Sequence, residues 1–204
     1  MCKFAWLRRL RVAIRLVGLT LVGLLATTGV AAAQACQPPA PVTPFAQWGD
    51  TNGYFLIPGG SFSGAAAGWA LDGATLSNAG FNFGSVSATS SLTIDAGGSA
   101  TSPSLCVNST MPYLRFLARQ VAAGSGLTIQ GIVPASANSP EMTVNVTDLA
   151  DGSMPSWAPT GRVALVTVEL APGVSVKGML RFEVPGATGA WQIADIYMDP
   201  YRGS

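Results

Sequence analysis

From Tyr113 to Arg119 the chain alternates. Leu114, Phe116 and Ala118 fall on one side of an extended backbone, and Tyr113, Arg115, Leu117 and Arg119 on the other. Successive strand residues point to opposite faces, so the pattern predicts a strand with one face in a core. Ser91–Asp95, Leu127–Gln130, Val144–Val146 and Leu180–Val184 alternate in the same way. Tyr54–Ile57, Leu105–Val107, Val163–Leu170 and Trp191–Met198 are apolar runs of strand length. Asp72-Gly73 predicts a hairpin turn between Trp69–Leu71 and Ala74–Ser77, Ala96-Gly97-Gly98 a second turn, and Asn78–Ser90 a long loop. After the first thirty-five residues no stretch carries the period of an amphipathic helix. About nine or ten short strands at this spacing predict an all-β, antiparallel sandwich or barrel whose sheets each keep one wet face. Leu114, Phe116, Phe182, Trp69, Trp191 and Ile193 are the expected core.

The N-terminus has a different pattern. Met1–Arg15 holds Lys3, Arg8, Arg9, Arg11 and Arg15 and no acid, Leu16–Val30 is uncharged and apolar, and Ala33-Gln34-Ala35 follows. A basic segment, an apolar segment and an A-x-A site make a secretory signal peptide, predicted as an N-terminal helix and removed near Cys36. A retained membrane anchor is the rival, since the apolar run approaches spanning length. Its threonines and glycines and the cleavage-like site favour removal, which leaves no membrane segment. Arg8-Arg9 sits among residues that fit twin-arginine export poorly. The expected organisation is a signal peptide at 1–35, a proline-rich lead-in at 36–53 that begins CQPPAPVTP, and a β-sandwich domain at 54–204. The expected location is extracytoplasmic.

Cleavage changes the charge. Of 11 basic and 10 acidic side chains, five basic ones leave with the signal, so the mature chain is acidic, with a net charge of −4. It has no basic stripe for phosphates, which argues against a nucleic-acid partner. Two cysteines remain, Cys36 and Cys106, and in an oxidising compartment such a pair is expected to form a disulfide. The alternative is a lipid on Cys36 with Cys106 free, although Ala33 stands where a lipoprotein signal usually has leucine.

The sequence contains no histidine. That excludes Ser-His-Asp and Cys-His catalysis and every histidine-ligated metal. No nucleotide-binding or nucleophile-elbow motif is present. Paired carboxylates could still hydrolyse glycosides, but most of the ten acids fall in turns or on exposed strand faces, so no catalytic residue is assigned. Asp195 differs, lying between Ile193 and Ile196 in the apolar terminal strand. A carboxylate there needs a cation, an arginine or backbone donors; a structural calcium is one answer, and an ion pair or a β-bulge carrying it to the surface is another. Trp48 and Trp157 lie in loops, where an indole can stack on a sugar ring or plug the end of a sandwich, and Tyr113 is a third stacking candidate. Asn108-Ser109-Thr110 and Asn145-Val146-Thr147 match the glycosylation acceptor.

The order of several segments resembles a family. Tyr54 to Tyr201, with GGSFSGAAAGW, SLTIDAGGSATSPSLCV, YLRFLAR, LRFEV and the closing WQIADIYMDPY, is similar to galactose-binding-like jelly rolls, the fold of many carbohydrate-binding modules. It also resembles a group of uncharacterised secreted bacterial proteins with the same closing motif. The resemblance implies a jelly-roll sandwich and a secreted, non-catalytic module with polysaccharide or cell-envelope components as partners. Two positions depart from the pattern. Ser63 follows Phe62 where such modules often carry glutamate, and Ala194 precedes Asp195 where they often carry two acids. Those acids commonly help hold a structural calcium, so the departures bear on that ion. A cell-envelope structural or assembly protein that contacts protein partners through sheet edges is the alternative from another class.

Overall fold

The computed structural model describes residues 39–108, 111, 113–136, 140–165 and 175–199. The predicted signal peptide and Cys36 lie outside these residues, as does the end of the strand expected at Val163–Leu170. The described strands are β1 (Phe55–Leu56), β2 (Ala70–Ser77), β3 (Phe81–Asn82), β4 (Ser87–Ala88), β5 (Ser91–Thr101), β6 (Leu105–Asn108), β7 (Tyr113–Ala122), β8 (Leu127–Val133), β9 (Met142–Leu149), β10 (Ala158–Pro159), β11 (Val163–Ala164), β12 (Ser175–Glu183) and β13 (Ala190–Asp199). All pairings are antiparallel. Apart from the small β3–β4 pair, they form one hydrogen-bonded network. No helix among the described residues is long and apolar enough to cross a membrane.

The network doubles over at β5. Leu92–Asp95 pair with β13, whereas Ser99–Thr101 pair with β12, and β2 follows the other edge of β5 throughout. One layer continues from β13 to β7, the other from β12 to β8 and β9. The result is a jelly-roll β-sandwich. Its core is the interior face of both layers. Leu92, Ile94, Leu114, Phe116, Trp191 and Ile193 come from the first, and Ala100, Leu127, Ile129, Leu180 and Phe182 from the second, all buried. The layers meet where the Phe116 and Phe182 rings stand edge to face at 5.3 Å. Trp69 packs on Phe62 and Phe182, and the Trp191 indole N–H donates to the Ser125 carbonyl at 2.8 Å. Every residue expected in the core is buried.

The two turns expected at Asp72-Gly73 and Ala96-Gly97-Gly98 are not turns. They face each other in mid-strand. Asp72 pairs with Ser99 and Ala74 with Ile94, so the single residue Gly73 opposes four residues of β5. This wide bulge is the corner that carries β5 from one layer to the other. Glycine is required on both sides of it. Gly73 has φ +60°, and a Cβ on Gly98 would stand 2.3 Å from the Gly73 carbonyl oxygen. Residues that usually form turns here relieve a backbone crossing instead.

The expected wet face is also absent from the first layer. Leu117 and Ala194 point away from the core, yet both are fully buried. Three segments cover that side. The lead-in packs Phe45 against Tyr197 (5.6 Å), Trp157 lies over Arg119, and Phe81 of the small hairpin packs on Trp157 (5.2 Å). Beneath them runs a polar row. The Gln192 amide donates to Ser77 Oγ (3.3 Å) and Thr93 Oγ1 (3.0 Å) and accepts from Arg119 Nε (2.7 Å). Gln192 is thus a buried amide with satisfied donors and acceptor.

Candidate functional site

The lead-in builds a cleft on this outer side. Val42 and Tyr54 exchange two backbone hydrogen bonds of 2.7 Å, which closes the segment between them into a loop. Phe45 anchors the loop. It is fully buried, with its ring edge to face on Tyr54 at 5.0 Å. A single 3-10 turn, Ala46–Trp48, follows and ends at Gly49, whose φ of +81° lies in the left-handed region that glycine enters without cost. The turn sets Trp48 at the surface. Its indole leans on Phe45 (6.2 Å) and on the edge of Phe83 (5.1 Å) and keeps 36% of its area in solvent.

The chain then returns through Asp50, whose carboxylate is the hub of the site. It accepts from the Tyr54 hydroxyl at 2.5 Å, from the Asn52 backbone N–H at 3.1 Å, and from Arg115 Nη1. Burial pushes this carboxyl up, but the hydrogen bonds and the Arg115 charge outweigh it and hold Asp50 below its ordinary value. Desolvation, and then the bond to Asp50, raise the Tyr54 hydroxyl. Arg115 is equally committed. Nε donates to the Thr160 carbonyl at 3.0 Å and the guanidinium lies 4.3 Å over the Phe45 ring. Both charged side chains are about nine-tenths buried. The pair is therefore a fixed floor of ionised groups with hydrogen-bonding capacity left at its rim.

Trp48, Gly49, Asp50, Thr51, Asn52, Arg115 and Arg162 line the cleft, an open volume of about 390 Å³. Arg162 is exposed at its lip, its guanidinium 5.8 Å from the Tyr113 ring. Chemically the cleft offers one apolar aromatic face beside a ring of donors and acceptors.

Of the residues singled out in the sequence, Trp48 lines this cleft; Tyr113 does not, but its ring stands 5.8 Å from the guanidinium of the lining residue Arg162. Trp157 is not among the lining residues. It is half-buried against Phe81 and Arg119, and its indole N–H has no hydrogen-bond partner. Asp195 sits in a bulge of β13 where Asp195 and Ile196 interrupt the register with β7 between Ala194 and Tyr197. The bulge does not carry it to the surface. The residue is 7% exposed, with φ +48°, and desolvation pushes its carboxyl up to about 6. Ile196 ties the bulge to the turn at Ile57–Gly60 through bonds of 3.0 and 3.1 Å. Neither ion pair found among the described residues involves Asp195. No three of His, Cys, Asp and Glu cluster among the described residues. Cys106 is half-buried on β6, opposite Lys177, while Cys36 lies outside the described residues.

Sequence reasoning missed Asp50, Arg115 and Arg162 as a group. The local signal for Asp50 was the turn-rich QWGDTNG. Nothing local marks Arg115, which meets Asp50 across 65 positions of chain.

No protein-family model matches the chain, and no curated protein matches it. Solved structures do. The second family 16 carbohydrate-binding module aligns with a TM-score of 0.47 at 13% identity, over 70% of this chain and 98% of its own. The CBM22-1 xylan-binding domain of Paenibacillus barcinonensis Xyn10C gives 0.45 at 13%, over 67% and 88%. TmCBM61 in complex with β-1,4-galactotriose gives 0.38 at 15%, over 71% and 97%. The strand pairings define an antiparallel jelly-roll sandwich with a surface cleft.

Proposed function

We propose that this protein is an extracytoplasmic, non-catalytic binding module that takes a glycan at the Trp48 cleft. The observation that carries the reading is Trp48 itself, an indole held by two aromatic neighbours, 36% exposed, that lines the cleft with Asp50, Asn52 and Arg115. Sugars present apolar C–H faces and a rim of hydroxyls, and a flat aromatic beside fixed donors and acceptors complements both. The same geometry argues against hydrolysis. Glycosidases need one carboxyl that can donate a proton and a second, ionised one. Among the described residues Asp50 is the only acid lining the cleft, and its partners hold it below its ordinary value. The signal-like N-terminus supports an extracytoplasmic location, where polysaccharides are found.

A glycan array followed by titration calorimetry tests the reading. Trp48→Ala should weaken binding at least tenfold, about 1.4 kcal/mol. Trp157→Ala, outside the cleft, should bind as the parent does. Loss of binding in Trp157→Ala with retention in Trp48→Ala would refute the assignment of the site.

A further inference from the structure

The two arginines of the cleft are not equivalent. Arg115 spends Nη1 on Asp50 and Nε on the Thr160 carbonyl, and its charge is matched by a buried carboxylate. Arg162 is exposed and takes part in neither of the ion pairs found among the described residues. Its guanidinium stands 5.8 Å from the centre of the Tyr113 ring, which supports it from one side. Among the described residues the cleft wall therefore carries two guanidiniums against one acid, on a chain whose expected cleaved form has a net charge of −4. An arginine alone on a surface would simply be solvated. This one stands on the lip of a cleft with an exposed indole and a preformed ion-pair floor, and its planar fork has the geometry that takes a carboxylate with two parallel hydrogen bonds.

We propose that the ligand is an acidic glycan, a sugar chain bearing uronate carboxylates, with Arg162 pairing the carboxylate while Trp48 stacks on a ring. This rests on the reading that the cleft takes a sugar. A neutral sugar would leave the Arg162 guanidinium to water, whereas a uronate gives it a charge-assisted bond and gives the Arg115–Asp50 floor the ring hydroxyls.

The test uses uronate oligosaccharides of several kinds, each paired with its carboxyl-reduced, neutral counterpart, titrated against the parent protein and against Arg162→Gln, Arg162→Lys and Trp48→Ala. The expected result is at least one acidic oligosaccharide bound tenfold or more tightly than its neutral counterpart, with a preference that shrinks as salt is raised. Arg162→Gln should abolish the preference, Arg162→Lys should keep part of it, and Trp48→Ala should weaken both members of the pair. Arg162 is exposed, so its variants leave the fold undisturbed. Equal binding of the acidic and neutral forms, or a preference that survives in Arg162→Gln, overturns this inference and leaves the glycan reading standing. Binding of no glycan of either kind overturns both.

Discussion

Asp195 makes the stability of this fold depend on pH in an unusual direction. Its carboxyl is pushed from the ordinary 3.8 up to about 6 by desolvation, and no ion pair reaches it among the described residues. The folded state therefore binds the proton more tightly than the unfolded chain does. Above pH 6 both states are ionised and the folded one bears the cost of a buried charge. As pH falls through 6 towards 3.8, the folded state takes up its proton first and that cost disappears. A difference of 2.2 in pKa corresponds to at most about 3 kcal/mol. Asp195→Asn removes the charge at every pH and keeps a residue that tolerates the observed φ of +48°. In EDTA at pH 7.5 the variant should exceed the parent by up to about 3 kcal/mol, roughly 6–12 °C in midpoint for a chain of this size. At pH 4 the two should melt together. Urea titrations at both pH values read this directly, provided the slopes match. A variant less stable than the parent in EDTA at pH 7.5 would refute the reasoning, because the ionised carboxylate would then have a protein partner that stabilises it.

The proposal of a structural calcium at Asp195 predicts that millimolar calcium raises the parent's melting midpoint at pH 7.5 and leaves Asp195→Asn unmoved; equal shifts in both, or none in the parent, remove the ion from the account. Gly98→Ala should cost roughly 2–3 kcal/mol through overpacking, since its Cβ would stand 2.3 Å from the Gly73 carbonyl oxygen at the corner of the sandwich; a neutral result in chemical denaturation would mean that the corner is slack. For the proposed Cys36–Cys106 bridge, thiol titration of the denatured mature protein should find no free thiol, and reduction should cost up to about 4 kcal/mol for a loop near 70 residues. Two free thiols would exclude the bridge, and a lipid adduct on Cys36 would favour the anchored form.

The interior was legible because it follows a two-residue period. Leu114, Phe116, Ala118, Leu180 and Phe182 announce one buried face by alternation alone, and Trp69 and Trp191 by their apolar flanks. The corner was not legible. Asp72-Gly73 and Ala96-Gly97-Gly98 are turn sequences by composition, and only the pairing of β2 with β5 shows that they are two sides of one bulge. Local signals report which backbone angles are allowed, not which distant strand needs them.

The site shows the same limit from its chemical side. Trp48 was visible because an aromatic in a polar loop is conspicuous. Asp50 looked like a solvated turn acid, and Arg115 like an outward strand residue, because each is ordinary among its sequence neighbours. What changes both is Phe45, the buried anchor of a lead-in that proline content had marked only as extended. Once Phe45 is seated on Tyr54 and Tyr197, the loop it carries must cross the outer face of β7, and Asp50 arrives where Arg115 already projects. Asp50 is held below its ordinary value because Tyr54, Asn52 and Arg115 supply what water would otherwise have supplied. The wet face expected for a sandwich layer is thus used up in construction, and what remains open at its margin is the small region between Trp48 and Arg162. Any ligand of this cleft meets groups fixed by folding rather than by binding, and that lowers the ordering cost of recognition.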